Sequence, residues 1–365
     1  MTTLASLKQV TNKQEIYQFY QTIIDYTIDI EQITIDQMLE TIKLFYNKKM
    51  NLAYCLNHYQ IDLLERLLNK KEEFKHYSIE LVYLKKVFVV DFNNEIYDEI
   101  KNSVCEVIQY RHSKEGKEFF LLKEIIQGLT KAYGAIEKDT FFDLLFGYTD
   151  THSKLEIENL LKQSHYFYHA VGYLKYNSIQ GEKEFITDAN VDLVYQFLNE
   201  FEESLLLSKK KFTLDEILEL AHYGILYSNS HLQEVLDSLY QVDIHFNLEK
   251  LIECITCNIH LLGTGKKIKE YIYSIYPHCK ENAEHFFDLM EKVEDMIPTI
   301  HSWAMGGYPY NHALNVFKEL PFDKMDEPFV NELDSFSSFK SLLDDLDDDD
   351  LQDILNQEID PTKIN

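Results

Sequence analysis

A chain of 365 residues with 45% hydrophobic and 13% aromatic residues, 11 glycines and 6 prolines reads as a helix-rich globular body, which excludes disordered, collagen-like and turn-dense all-β classes. The net charge of -27 disfavours non-specific adhesion to DNA, RNA or anionic membrane. No stretch approaches the roughly 18 to 20 apolar residues of a membrane span. The start, MTTLASLKQVTNKQEIYQFYQ, lacks the basic and apolar regions of a signal peptide, so a cytoplasmic chain is expected, its five cysteines kept as thiols.

In chain order, Thr34 and Gln37 match a capping box and predict a helix from about Ile35, with Met38, Ile42 and Phe45 on its apolar face. Leu63, Leu64, Leu67 and Leu68 mark a second amphipathic stretch, and residues 1–75 are read as a helical unit. Ser78 opens a further helix, and the β-branched and aromatic run Val87 to Phe92 predicts a short strand. Helices are expected over Leu121 to Ala132, Thr140 to Phe146 and Lys154 to Gln163, with Gly134 as a C-cap. Tyr173 to Tyr176 and Glu184 to Thr187 can pair around a Gln180-Gly181 turn. Three helices and a hairpin give residues 76–210 a winged-helix order, and Ser208 to Lys211 reads as an exposed linker. Ala132-Tyr-Gly-Ala-Ile136 is echoed by His222-Tyr-Gly-Ile-Leu226. Capping boxes at Thr213 and Ser230 and a cap at Asn247 make residues 211–320 helical, up to a corner at Met296 to Leu314 that holds the only tryptophan and the Gly306-Gly307 pair. Residues 321–365 form an acidic tail: Asp323 to Asp360 holds 14 acidic residues against Lys324 and Lys340. The fold class is therefore mainly α, multi-helical, with one or two small β-hairpins in a winged-helix-like segment.

Few residues converge on chemistry. Cys254, Cys257, His260 and Cys279 have the donor types of a tetrahedral zinc site, but the first pair falls inside an apolar helical pattern, where buried thiols serve packing. His165 and His169 could share a helical face as in zinc hydrolases, yet Tyr166 stands where the glutamate base belongs. Gly263-Thr-Gly265-Lys266-Lys267 fails a phosphate loop at two positions, and there is no G-x-S-x-G elbow or dinucleotide glycine set. The helix in the reading position of the winged order, Lys154 to Gln163, has two lysines offset by Glu156 and Glu158 and no arginine, a poor reader of DNA. In the tail, Leu346, Asp347, Asp348, Asp349, Asp350 and Leu351 combine acid with spaced leucines, which suits either a solvated end or a peptide that docks on a basic, apolar-lined groove.

Gly-Leu-Thr-Lys-Ala-Tyr-Gly-Ala-Ile-Glu-Lys-Asp (128–139), Phe212-Thr-Leu-Asp-Glu216 and the corner after Met296 together resemble a family of helical, largely uncharacterised cytoplasmic proteins of low-GC Gram-positive bacteria, many ending in a SEC-C type cysteine motif. Trp303, Gly307 and Asn311 fit the family's corner; Pro309 stands one place early and His312-Ala313 replaces Glu-Leu. The terminal cysteine motif is missing, because nothing after Cys279 supplies a thiolate, so no zinc-dependent role carries over. The resemblance implies architecture rather than a reaction.

The expectation is a non-catalytic regulatory or interaction protein that needs no cofactor and engages a basic protein partner through its acidic surface, with mimicry of nucleic acid as the sharper variant, and with Trp303 and residues Leu346 to Leu351 as interaction residues. The alternatives are a winged-helix-type regulator associated with nucleic acid and a metal-dependent enzyme using the cysteine and histidine set.

Overall fold

The computed structural model describes residues 3–6, 11–24, 28–69, 78–149, 151–178, 181–201, 205, 207–241, 247–260, 266–275, 283–309 and 311. The chain is mainly helical with one small antiparallel sheet. In order it forms α1 (Lys13–Thr22), α2 (Ile35–Tyr46), α3 (Lys49–Cys55), α4 (His58–Leu68), α5 (Ser78–Lys86), α6 (Lys101–His112), α7 (Lys114–Tyr133), β1 (Ala135–Glu137), α8 (Lys138–Phe146), α9 (Lys154–Leu161), β2 (Val171–Ser178), β3 (Gly181–Asp188), α10 (Val191–Glu200), α11 (Leu214–Tyr223), α12 (Ser230–Gln241), α13 (Leu248–Ile259), α14 (Lys266–Ile275) and α15 (Ala283–Met296). Among the described residues, no helix is long and apolar enough to cross a membrane.

Local signals place the helix starts. Reciprocal capping boxes close α2 at Thr34 and Gln37, α4 at Asn57 and Gln60, α9 at Ser153 and Glu156, and α11 at Thr213 and Glu216. Asn247 caps α13 through the Lys250 amide. At α12 the cap is Asn229, which accepts from the Leu232 amide, one residue before the expected Ser230. The strand expected at Val87 to Phe92 does not form. Asp91 Oδ1 accepts from the Asn93 and Glu95 amides and curls the chain into a turn closed by a single Val90 to Ile96 bridge. Val87, Phe88, Val89 and Val90 are core filler there, all 5% exposed or less.

The expected hairpin is present, with Tyr173 opposite Ile186 and Tyr176 opposite Lys183. A third strand that the sequence reading passed over, β1, pairs with β3 through Ala135 and Thr187, giving sheet order β1-β3-β2. The run α7, β1, α8, α9, β2, β3 is thus a winged-helix-like unit with its short first strand in place. One apolar cluster runs from Leu4 to Phe120, a second gathers α7, α8, α9 and α11, and a third spans Ile225 to Ile300.

The helix α7 is the common wall. Gly128 lets α11 approach so closely that a Cβ there would lie 2.1 Å from the Ile217 carbonyl oxygen. At its C-terminal end, Gly134 adopts φ +72, and a Cβ would lie 2.2 Å from the Trp303 ring. Trp303 is 1% exposed, and its indole Nε1 donates to the Lys131 carbonyl at 2.9 Å. The corner therefore plugs the end of α7 and joins the two features that stood apart in the sequence, the Tyr133-Gly134 stop and the tryptophan. Ser208 to Lys211, expected as an exposed linker, is fastened to the same place: Lys210 donates its amide to the Gly306 carbonyl, and its own carbonyl accepts from the Tyr133 hydroxyl. Trp303→Ala is expected to lower stability by about 3–5 kcal/mol in urea denaturation, and Gly134→Ala to destabilise through both its φ and the indole contact; a variant pair with unchanged midpoints would refute the plug.

Candidate functional site

The winged-helix-like unit offers the most developed outward face. Helix α9 turns Ile157 and Leu160 inward and leaves Lys154, Leu155, Glu156 and Asn159 exposed, Leu155 at 66%. Lys154, Lys138 of α8 and the hairpin lysines each face a carboxylate, whereas Lys162, exposed just past the helix, donates to the Asn159 side chain at 3.1 Å. Lys138 lies 3.6 Å from Glu158 and 3.3 Å from Glu184, Lys154 3.9 Å from Asp139, Lys175 3.6 Å from Glu184, and Lys183 2.7 Å from Glu137. Hydrogen bonds from Tyr173 and Lys138 hold the Glu184 carboxyl below its usual range, and the Ser153 amide does the same for Glu156. Residues 137–188 contain nine acidic residues, five lysines and no arginine. Exposed apolar side chains sit among these charges. Lys154 covers the Phe142 ring, which stacks on Phe146, and Lys138 lies beside Tyr173; Phe146 and Tyr173 are 41% and 52% exposed. The face is acidic with apolar patches.

A second constellation lies inside, where α3, α4 and α5 meet α7 and α11. The Lys123 ammonium is fully buried and donates to the carbonyls of Ala53 at 2.7 Å, Tyr54 at 3.2 Å and Leu56, so it caps the C-terminal end of α3. Burial pulls its pKa down to about 7. Next to it, Glu124 accepts from the His58 backbone amide at 3.1 Å and pairs with the His58 ring at 2.6 Å. His222 meets Glu80 at 2.9 Å, both about 5% exposed, and Tyr59 lies between the two imidazoles with ring centroids 3.8 and 4.0 Å away. Two imidazole–carboxylate pairs are acid–base chemistry in kind. Here each pair bridges helices, and no hydroxyl or thiol nucleophile is hydrogen-bonded to either ring among the described residues. They tie the N-terminal helices to α7 and α11. Sequence reading missed this seam; its one local trace is the charged pair Lys123-Glu124 inside the apolar run from Phe119 to Ile126.

The residues singled out by type are dispersed. Cys254 and Cys257 are half-buried on α13, and Cys257 contacts the Asn190 amide at 3.9 Å. His260 points away from them: its ring stacks on Trp303 at 4.4 Å and its Nδ1 donates to the His301 carbonyl at 3.3 Å. His301 donates from Nε2 to the same Lys131 carbonyl that receives the indole. Burial pushes both imidazoles down, His301 to about 4, so they are neutral packing groups. Among the described residues no group of three His, Cys, Asp or Glu is placed to hold a metal. Cys279 and the tail residues Leu346, Asp347, Asp348, Asp349, Asp350 and Leu351 lie outside the described residues. His165 and His169 do not share a helix: one is on a 3-10 turn, the other in the bend after it, where His169 contacts the His222 carbonyl. Trp303, an expected interaction residue, is buried in the corner.

The folded Lys123 gives up its proton near pH 7, whereas an unfolded lysine keeps it to about 10.4. Between those values the unfolded chain binds more protons, so stability from this group rises with pH. Lys123→Met is expected to flatten that rise between about pH 7 and 9 and, by stranding the α3 carbonyls, to cost about 1–3 kcal/mol at the upper end; urea unfolding across pH measures both, and an unchanged slope would remove Lys123 from the account.

Comparison of the chain with family models, with curated proteins and with solved structures finds no match in any of the three.

Proposed function

We propose that this chain is a non-catalytic, acidic interaction protein that docks a basic protein partner on the outer face of the winged-helix-like unit. The observation that carries the reading is the internal neutralisation of that face. Lys138, Lys154, Lys175 and Lys183 each face a carboxylate of the same unit, so most of the ammonium groups a phosphate backbone would need are committed, Lys162 excepted. Winged-helix-like units serve nucleic-acid and protein partners alike, and surface chemistry rather than element order decides between them. Leu155, Phe146 and Tyr173, exposed among carboxylates, suit a partner groove with apolar floor and basic rim. A sharper form is mimicry of nucleic acid, with the carboxylates standing in for phosphates. The acidic, leucine-spaced tail through Leu346 to Leu351 has the same chemistry and is proposed as a second contact.

Affinity capture from the native cell with full-length protein tests the reading. The expected result is a basic partner whose retention falls as ionic strength rises past about 0.15 M, and whose affinity drops about tenfold or more in Leu155→Ser/Tyr173→Ser at unchanged circular dichroism and thermal midpoint. Salt-insensitive capture, or wild-type affinity in the double variant, would overturn it. Gel-shifted duplex DNA at low salt would favour the nucleic-acid regulator instead, the reading that the element order alone supports.

A further inference from the structure

Away from the winged-helix-like face, a cleft of about 540 Å³ opens between α1, the turn after α5 and the segment from His165 to Ala170. That volume lies within the range of small-molecule sites. Among the described residues 21 line it, and eight of these are Phe or Tyr. The walls are braced from behind: Phe19 packs edge-on to Phe88 and stacks with Tyr46, and Tyr83 meets Tyr168 edge-on at 4.5 Å. At the mouth Phe92 is 59% exposed. One wall is strained, since Phe88 holds φ +56, a conformation that a bulky aromatic rarely adopts and that tends to mark functional sites.

Chemistry inside the cleft is binding chemistry. Cys55 lies at its inner end, where burial pushes the thiol up to about 12, so no thiolate is offered. Burial likewise raises Tyr83 and Tyr97, leaving neutral phenols. The charged groups at the rim differ in how they are committed. Asp91 is occupied by the Asn93 and Glu95 amides, and Glu15 accepts from the Asn12 side chain at 2.8 Å. Lys85 reaches only the Phe92 carbonyl, at 3.4 Å, and exposed Lys86 has no ion pair among the described residues. Among the described residues neither lysine faces a carboxylate, so both ammonium groups are open to an anion, while the Glu15 and Asp91 carboxylates hold neutral amide donors.

We infer that the cleft is a binding site for a small planar aromatic molecule carrying one acidic group, its rings stacked among the aromatic walls and its anion held by Lys85 and Lys86. Aromatic walls favour flat rings through stacking and edge contacts. The charge pattern selects the anion. The cleft borrows the segment His165 to Ala170 from the winged-helix-like unit, but Phe146, Leu155 and Tyr173 do not line it, so the inference does not rest on the docking reading.

Calorimetric titration of the full-length protein with 2-naphthoate, 2-naphthylmethanol and dodecanoate tests the inference. Saturable one-to-one binding of naphthoate below about 1 mM is expected, with the neutral alcohol and the flexible acid each at least tenfold weaker. Lys85→Ala/Lys86→Ala, with unchanged circular dichroism, should bring naphthoate down to the level of the alcohol and leave the alcohol where it was. Thr22→Trp, at the cleft edge of α1, should abolish binding of both. Equal affinity for acid and alcohol, tighter binding of dodecanoate, absence of saturable binding, or wild-type binding in the Thr22→Trp variant would overturn it.

Discussion

The architecture depends on how the C-terminal end of α7 is satisfied. A helix leaves its last carbonyls without intrahelical partners, and an end buried in protein must find donors elsewhere. Here the Lys131 carbonyl receives two, the Trp303 indole and the His301 imidazole, from a segment some 170 residues later in the chain. The geometry admits only glycine at position 134, because any side chain would enter the indole ring. Tyr133 adds a tie to the Lys210 carbonyl, and His260 stacks on the other side of the tryptophan. Three distant segments are thereby brought to one helix end, two by hydrogen bonds and one by stacking on the indole.

Lysine is used twice along this helix, and the two uses are complementary. Lys123 turns toward the N-terminal helices and serves as a cap for α3, while Lys131, two turns further on, sends its ammonium to Asp188 at the end of β3 at 2.6 Å. Lys123 is removed from water and Lys131 largely so, with 18% of its side chain exposed, at a cost that close acceptors offset. Their separation sets the spacing between the N-terminal cluster and the sheet, and Gly128 between them lets α11 lie against the same helix. Apolar burial supplies the bulk of the stability. These polar ties fix which elements meet, because a buried ammonium that misses its carbonyls is far costlier than a leucine that slips by half a turn.

What the sequence made legible follows from range. Caps act over three residues, so Thr34, Thr213 and Asn247 could be read directly, and the hairpin was visible in the alternation around Gly181. Val87 to Phe92 misled because a β-branched run records burial as much as strand pairing, and Asp91 diverts the backbone into a turn. The three residues of β1 were too few to register against the helical signals on either side. The candidate sites were less legible still. Lys154 and Glu158 are close in sequence, but the pairing of Lys138 with Glu184 and of Lys183 with Glu137 arises only when the sheet forms across some 46 residues. The seam around Lys123 joins it to Ala53 across 70 positions and spans as many as 165 between Asn57 and His222, and the aromatic cleft draws on α1, α5 and the residues after α9. Residue type alone highlighted Cys254, Cys257 and His260, which the fold then points in different directions.

The winged-helix-like unit sharpens the difference between a fold and its use. A reader of nucleic acid needs a surplus of cations on the helix it presents, since release of counterions from the phosphates supplies most of the non-specific affinity. In this chain the corresponding surface has a surplus of carboxylates, and the sheet geometry uses the few lysines to hold those carboxylates in place. The same pairing that firms up the hairpin also withdraws cations, so on the proposed reading the features that stabilise the unit and those that would select its partner are one set of residues. Leu155 stands outside that set: it is exposed, uncharged and on the face that α9 presents, and its burial would have to come from another molecule. An apolar residue among fixed carboxylates favours a partner that brings both a pocket and positive charge, which a polyanion lacks.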